Sequence, residues 1–336
     1  MGDLGRNSTA LDIIEGIDLK GKIAIVTGGS SGIGTETARA LAVAGAELIL
    51  PTRDLEYGSA IADKLITESG NSKIRNYEMD LSDFDSVRRF ADNFMTEYRQ
   101  LDILVNNAGI MACPPGRCRQ GYELHFSVNH LGHFLLTACL SPCLLASAAS
   151  RVVTLSSVCH RLSPVVFDDL HFNHRSYDKW LAYGQSKTAT ALFALALNER
   201  LQGYGGSAFA VHPGSIMTNL QRHMNRQEMV ALGWIDKKNN IHRSFKSAAQ
   251  GAATTVWAAT TSHLADRGGA YCEDCQVAEP AREGSTRRGV SPYARDLQTA
   301  TYLWDVSERL VDQPFCLNDV SRYCAAKGKM AALPVV

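Results

Sequence analysis

No apolar run in the 336-residue chain reaches the ~18 residues that a helix needs to cross a bilayer. The longest candidate, FLLTACLSPCLLASAAS from Phe134 to Ser150, is interrupted by Pro142 and by polar residues, so a core helix is expected there. The opening residues, MGDLGRNSTALDIIEG, lack a basic region followed by an apolar stretch, and no signal peptide is expected. Arg6 stands where a myristoylation pattern wants Ser or Thr. Charge of one sign is also missing. The 34 Lys and Arg balance the 34 Asp and Glu, which leaves no global field to draw in nucleic acid or an anionic membrane. The nine cysteines are odd in number and scattered, which fits reduced thiols in a cytoplasmic protein rather than a disulfide framework. Cys272 and Cys275, in CEDC, have the spacing of a metal or redox pair. No second pair and no suitably spaced histidines accompany them, so a structural role is expected and no metal site.

What is present is an ordinary globular composition, 45% hydrophobic and 20% charged. Short apolar runs alternate with helical periodicity. KIAIVTGG (22–29), ELIL (47–50), KIRNYEMD (73–80), LDILVNNAG (101–109), RVVTLSS (151–157) and SAFAVHPG (207–214) read as strands. Between them, GIGTETARALAVAGA (32–46), a segment capped by Asp54 and running to about Ser69, and SDFDSVRRFADNFMTEY (82–98) read as helices. This alternation predicts an α/β fold. We expect a single doubly wound Rossmann domain, with a parallel sheet of about seven strands and helices on both faces. The expected division is an N-terminal extension at 1–18, the domain at 19–312 and a tail at 313–336. Tyr77, Met79 and Trp257 are expected in the core, and His130 and His133 as packing residues.

TGGSSGIG (27–34) lies at a strand-to-helix junction, where glycines let the backbone approach a pyrophosphate and a helix N-terminus offers free amides. The context of βα units makes it a dinucleotide-binding turn. At the end of the second strand, LILPTRD places Thr52 in the slot where NAD enzymes carry an acid, and Arg53 follows. A guanidinium there suits a 2′-phosphate, so NADP(H) is expected as the preferred cofactor, with NAD(H) possible. YGQSK sets Tyr183 and Lys187 one helical turn apart, on one face.

TGxxxGxG, NNAG (106–109) and YxxxK occur in the order found in the short-chain dehydrogenase/reductase family, which the chain resembles from about residue 19 to 312. FSVNHLGHF (126–134), Ser156–Ser157 and HPGSIMT (212–218) fit the same pattern. NHLGHF, YDKWLAYGQSK, GAATTVWAA and GGAYCEDC are similar to the branch containing retinol dehydrogenases and WW-domain oxidoreductases. The resemblance implies an alcohol dehydrogenase or ketone reductase in which Tyr183 is the general acid and base. Lys187 would lower the phenol's pKa and hold the nicotinamide ribose. Ser157, with Ser156 as the neighbouring candidate, would bond the substrate oxygen, and Asn129 would hold a water beside the lysine. It further implies cofactor contacts from Gly28, Ser30, Ser31, Gly32, Ile33, Gly34, Arg53, Asp80, Leu81, Asn107, Ala108, Gly109, Tyr183, Lys187, Pro213, Gly214, Ile216 and Thr218. A homodimer or tetramer is common in the family.

The gap between Ser157 and Tyr183 is longer than in minimal family members. Residues 158–182 are therefore expected at the substrate entrance, together with 219–245. In the second segment, Leu220, Met224, Met229, Leu232 and Trp234 would either face a lipophilic substrate or pack on the core. No N-terminal anchor of the kind carried by membrane-bound retinol dehydrogenases is expected. Two other functions share these motifs. One is reduction of an activated C=C bond, as in protochlorophyllide reductases. The other is a non-catalytic protein that senses a dinucleotide.

Overall fold

The computed structural model describes residues 4–282 and 288–316. Ala24 and Val26 of β1 (Ile23–Val26) point to one side of a sheet and Ile25 to the other, all fully buried. This two-sided burial produces the continuous apolar runs seen in the sequence. After α1 (Ala10–Ile14) and β1, the chain continues through α2 (Gly32–Val43), β2 (Glu47–Thr52), α3 (Leu55–Ser69), β3 (Ile74–Glu78), α4 (Phe84–Glu97) and β4 (Ile103–Asn106). A single helical turn, α5 (Leu124–Phe126), passes through a π-turn at Ser127–Leu131 into α6 (Gly132–Cys139), followed by α7 (Ser141–Ala146) and β5 (Arg151–Leu155). Then come α8 (Lys179–Leu201), β6 (Ser207–His212), α9 (Arg226–Ala231), α10 (Ala248–Thr260), β7 (Tyr271–Glu273), β8 (Gln276–Val277) and α11 (Leu297–Val311).

The strands form one sheet in the order β3-β2-β1-β4-β5-β6-β7-β8, parallel except for the β7–β8 pair. On one face α4, α6, α8 and α11 cover the sheet through Phe90, Phe134, Phe193 and Trp304. The Trp304 ring lies 4.8 Å from Phe134 and 5.9 Å from Phe193, so one aromatic cluster pins three helices together. On the other face α1, α2, α3 and α10 contribute Ile13, Leu41, Leu65 and Val256. The N-terminal extension is thus part of the core, with α1 lying against α10 and α2. Among the described residues no helix is long and apolar enough to cross a membrane.

Three expectations change in detail. The helix expected over Phe134–Ser150 is two helices broken at Leu140, because Pro142 cannot donate to the preceding turn and instead starts α7. The sheet has an eighth strand, a two-residue hairpin partner. CEDC forms the connection: Asp274 and Cys275 take φ of 49° and 58° in a two-residue turn, the conformation that matches strand twist. Cys272 and Cys275 are buried in the core, and burial pushes the Cys272 thiol up to about 12. Finally, Met79 and Trp257 are buried, but Tyr77 is half-buried with its hydroxyl on Glu97 at 2.8 Å. The expected tail at 313–336 falls outside the described residues from 317 onward.

The N-terminal edge of the sheet is tied by Asp102, which is buried. Its carboxylate accepts from Ile23 N and Lys22 Nζ, both at 3.0 Å, and from Ser147 Oγ at 2.9 Å. Burial raises this carboxyl's pKa, but the three bonds outweigh it and hold the group below its ordinary value. A lowered folded-state pKa stabilises the fold above the unfolded value, near ~4, and that contribution disappears as pH falls through the folded value. Asp102→Asn is therefore expected to cost about 1–3 kcal/mol in urea unfolding at neutral pH. The difference from the wild type should shrink steadily below pH ~4; a constant difference would show that the carboxylate's charge is not what matters.

Candidate active site

The strand order reverses between β1 and β4, and a cleft of about 2120 Å³ opens at the carboxyl ends of these strands. This is the crevice where open α/β sheets bind ligands. Its volume is more than twice the ~1,000 Å³ upper range for a drug-sized ligand, so it has room for a dinucleotide and a substrate together. All the residues that the resemblance marks for cofactor contact line it, as do Ser156 and Ser157. Asn129 is the exception and lies behind the wall.

The glycine-rich turn is built for close approach. Gly28 has φ of 63°, and a Cβ on Gly34 would run into the Gly28 carbonyl and the Asn107 amide. Thr27 and Asn107 hold the turn against β4. Thr27 Oγ1 accepts from Asn107 N at 2.9 Å and Ala108 N at 3.0 Å, and Asn107 Nδ2 donates to Thr27 O at 2.7 Å. Thr27 Oγ1 also lies 2.9 Å from His133 Nε2, while His133 Nδ1 donates to Asn129 O at 3.1 Å. Burial pushes His133 down to about 4, so it is the neutral tautomer that links the turn to the helix. His133 is therefore more than a packing residue, and Thr27 is a site residue that the pattern of glycines does not single out. Its only sequence signal is its place before the first glycine.

Asn129 sits in the π-turn and binds the backbone of Ile110 twice, Oδ1 accepting from its N–H at 2.9 Å and Nδ2 donating to its carbonyl at 3.0 Å. Nδ2 also meets Ser186 Oγ at 2.9 Å, one residue before Lys187. A Cβ on Gly109 would lie 3.2 Å from Asn129 Oδ1 and 3.6 Å from Lys187 Nζ, so asparagine and lysine meet at the bare backbone of Gly109.

Helix α8 starts at an Asp178 cap and carries Tyr183 and Lys187 into the cleft, both almost fully buried. Lys187 Nζ donates to Leu155 O at 2.8 Å, and burial lowers the ammonium to about 8. Burial likewise raises the Tyr183 phenol above its ordinary value, and the Ser157 hydroxyl is the neighbour that pulls it back. The expected lowering by Lys187 is not the dominant influence here. The two groups share a desolvated site, and the lysine's hydrogen bond goes to the Leu155 carbonyl, with its Nζ 5.7 Å from the tyrosine ring centre.

The two adjacent serines part company. Ser156 Oγ donates to the Lys187 carbonyl at 2.7 Å, which fastens α8 to β5. Ser157 Oγ accepts from Cys159 N at 3.1 Å, which leaves its own hydrogen available toward the cleft. Over Tyr183 lies an apolar group of Met111, Ala112 and Met224, with Leu220, Met229, Trp180 and Trp234 packed around it. The entrance segment therefore covers the tyrosine, except for Leu232, which is exposed. A salt bridge from Lys179 Nζ to Glu228 at 2.7 Å joins this cover to the start of α8. Among the described residues no group of His, Cys, Asp or Glu has the arrangement of a metal site.

A cleft at the switch point, a glycine turn and a tyrosine–lysine helix define a nucleotide-dependent oxidoreductase fold. The family model of short chain dehydrogenases matches residues 22–229, and the chain belongs to that family. Within it, the chain falls in the retinol dehydrogenase-like branch. It is 40% identical to human retinol dehydrogenase 12, over 88% of both chains. It is also 40% identical to the short-chain dehydrogenase/reductase prx1 of Penicillium rubens, over 90% of both. A solved structure of an uncharacterised protein from Mycobacterium paratuberculosis matches with a TM-score of 0.71 at 34% identity, covering 92% of this chain and 99% of that one. An NADPH complex of a short chain dehydrogenase from Escherichia coli CFT073 matches with a TM-score of 0.59 at 26% identity, covering 77% and 98%.

The serine geometry gives a test. Ser156→Ala removes a buried helix-to-strand bond and is expected to cost about 1 kcal/mol in urea unfolding while nucleotide binding is kept. Ser157→Ala should leave stability within about 0.5 kcal/mol. Reversed stabilities would mean that the two hydroxyls have been assigned the wrong way round.

Proposed function

We propose that the protein is an NADP(H)-dependent oxidoreductase that interconverts an alcohol and a ketone or aldehyde on a lipophilic small molecule. The observation that carries this reading is convergence: Ser157, Tyr183 and Lys187 line the same cleft as the glycine-rich turn, beneath an apolar cover. The turn from Gly28 through Ser30, Ser31 and Gly32 to Gly34 lines the cleft with backbone and small hydroxyls, which fits a dinucleotide phosphate. A nicotinamide held there supplies or accepts hydride.

The chain's own groups would then handle the oxygen and its proton. In reduction, Tyr183 Oη gives its proton to the carbonyl oxygen, and in oxidation it takes the alcohol proton back. A phenol whose anion is disfavoured by burial is a poor spontaneous acid, so it would transfer its proton only to an oxygen that is gaining charge. The Ser157 hydroxyl donates its one hydrogen to that same oxygen as it becomes negative. Lys187, held between Leu155 O and the cleft, supplies positive charge nearby. Met111, Met224 and Trp234 exclude water and favour an apolar substrate. Arg53 lines the cleft just past β2, where it suits a 2′-phosphate, and Thr52 stands in the slot where an acid would repel one.

A panel of decanal, benzaldehyde, cyclohexanone and retinal, followed by NADPH absorbance with product analysis, tests the reading. Carbonyl products are expected as alcohols with any C=C bond intact. Tyr183→Phe should lower turnover about 10²–10⁴-fold, with NADPH affinity within about threefold of the wild type. Loss of NADPH binding in that variant, or undiminished turnover, would count against the role. Because Lys187 titrates near 8 and its charged form lies below that value, kcat/KM for reduction should be level at lower pH and fall as pH rises past about 8.

Arg53→Ala separates the coenzymes. It should weaken NADPH binding about 10-fold or more, as expected for loss of a charge-assisted phosphate contact, and leave NADH nearly unchanged. Equal weakening of both would remove the basis for NADP preference.

A further inference from the structure

Ser157 is held from behind by a histidine that does not line the cleft. His160 is fully buried in the short 3-10 helix Val158–Leu162 that follows the serine. Its Nδ1 lies 2.7 Å from the Ser157 carbonyl, and its Nε2 lies 3.0 Å from the backbone N of Ser291. A carbonyl can only accept and an N–H can only donate, so the proton sits on Nδ1 and Nε2 receives. The Tyr271 hydroxyl gives a second bond to the same Ser157 carbonyl at 3.2 Å. The carbonyl of His160 is itself held, by Thr188 Oγ1 at 2.9 Å from α8 and by Tyr293 Oη at 2.9 Å. One ring therefore connects the serine, the tyrosine-bearing helix, β7 and the 291–293 segment. All but the first two lie beyond the residues that the family model matches.

We propose that His160 is a positioning residue that fixes the Ser157 hydroxyl against Tyr183, acting through the Ser157 carbonyl. The proposal rests on the oxidoreductase reading above. The serine side chain has one rotatable bond to its hydroxyl, so its aim is set by its backbone, and two donors on one carbonyl set that backbone. Only an imidazole of this size both donates to the serine and receives from Ser291. Burial keeps it neutral, with its pKa pushed down to about 4, so both bonds persist through the working range.

The test is a double-mutant cycle with decanal and NADPH. His160→Phe keeps the volume and removes both bonds. It is expected to lower kcat about 10- to 100-fold, the scale of a misplaced reacting group, while NADPH affinity by fluorescence titration stays within about threefold. His160→Asn keeps a donor near the Nδ1 position and should recover most of kcat. In a Ser157→Ala background, His160→Phe should cost less than about twofold more, because its effect runs through the missing hydroxyl. The same fractional loss in both backgrounds would overturn the proposal, as would a His160→Asn variant no better than His160→Phe. If His160→Phe does not fold, Tyr271→Phe replaces it in the cycle, since it removes the second donor to the same carbonyl. A smaller loss is then expected, again vanishing beside Ser157→Ala, and an undiminished loss overturns the proposal. Wild-type protein that reduces no carbonyl of the panel would instead end the oxidoreductase reading itself.

Discussion

Two reciprocal hydrogen bonds join the end of β5 to the middle of α8, and the site depends on them. Lys187 Nζ donates to the Leu155 carbonyl and Ser156 Oγ donates to the Lys187 carbonyl, at 2.8 and 2.7 Å. Helix and strand are thereby locked in translation and in rotation. Tyr183, one turn earlier on α8, then has a single place to be, facing Ser157 at the head of β5. The lock also buries an ammonium, which is costly in a low-dielectric interior unless it is bonded. Its lowered pKa is the visible residue of that cost.

Behind this lock runs a second layer of polar bonds that starts from the cleft residues Thr27, Ile110 and Ser157 and passes through buried groups behind the wall. Thr27, His133, Asn129 and Ile110 form one chain of bonds from the glycine turn to the π-turn, and Ser157, His160 and Ser291 form another from the loop after β5 to the 290s. Both use a buried neutral histidine as donor on one nitrogen and acceptor on the other. Neutral imidazole suits this task because it fixes two backbones at once without introducing a charge that needs solvation. The wall residues stay simple as a result: glycine, serine and small loops that leave room for ligand.

Much of this was legible in the sequence where the signal is local. Asp54 announces its helix because a cap bonds within three residues of itself. The strands were legible because both faces are buried and the runs are nearly unbroken. The glycine turn and the Tyr183–Lys187 pair were legible because their spacing is fixed by backbone geometry. What escaped depends on distance along the chain. The partner of His160 is Ser291 and that of His133 is Thr27, and no short pattern encodes either pairing. For CEDC the missing partner ligands pointed to a structural role, but spacing alone did not show that the two thiols flank a hairpin turn. Tyr77 looked apolar by its neighbours, yet β3 is the edge strand and leaves its hydroxyl within reach of Glu97.

The cleft divides by chemistry as well as by position. Toward β1 and β2 its lining includes the glycine-turn backbone, the hydroxyls of Ser30, Ser31 and Thr52, and the Arg53 guanidinium. Over Tyr183 it includes Met111, Leu220 and Trp234, with Met224 and Trp180 packed in the same apolar group. The proposed hydride transfer would favour this division, since the donor's charged half must be solvated while the reacting carbon must be dry. The cover achieves dryness with flexible methionines and two tryptophans 6.0 Å apart, rather than a rigid wall, which accommodates apolar bodies of different outline.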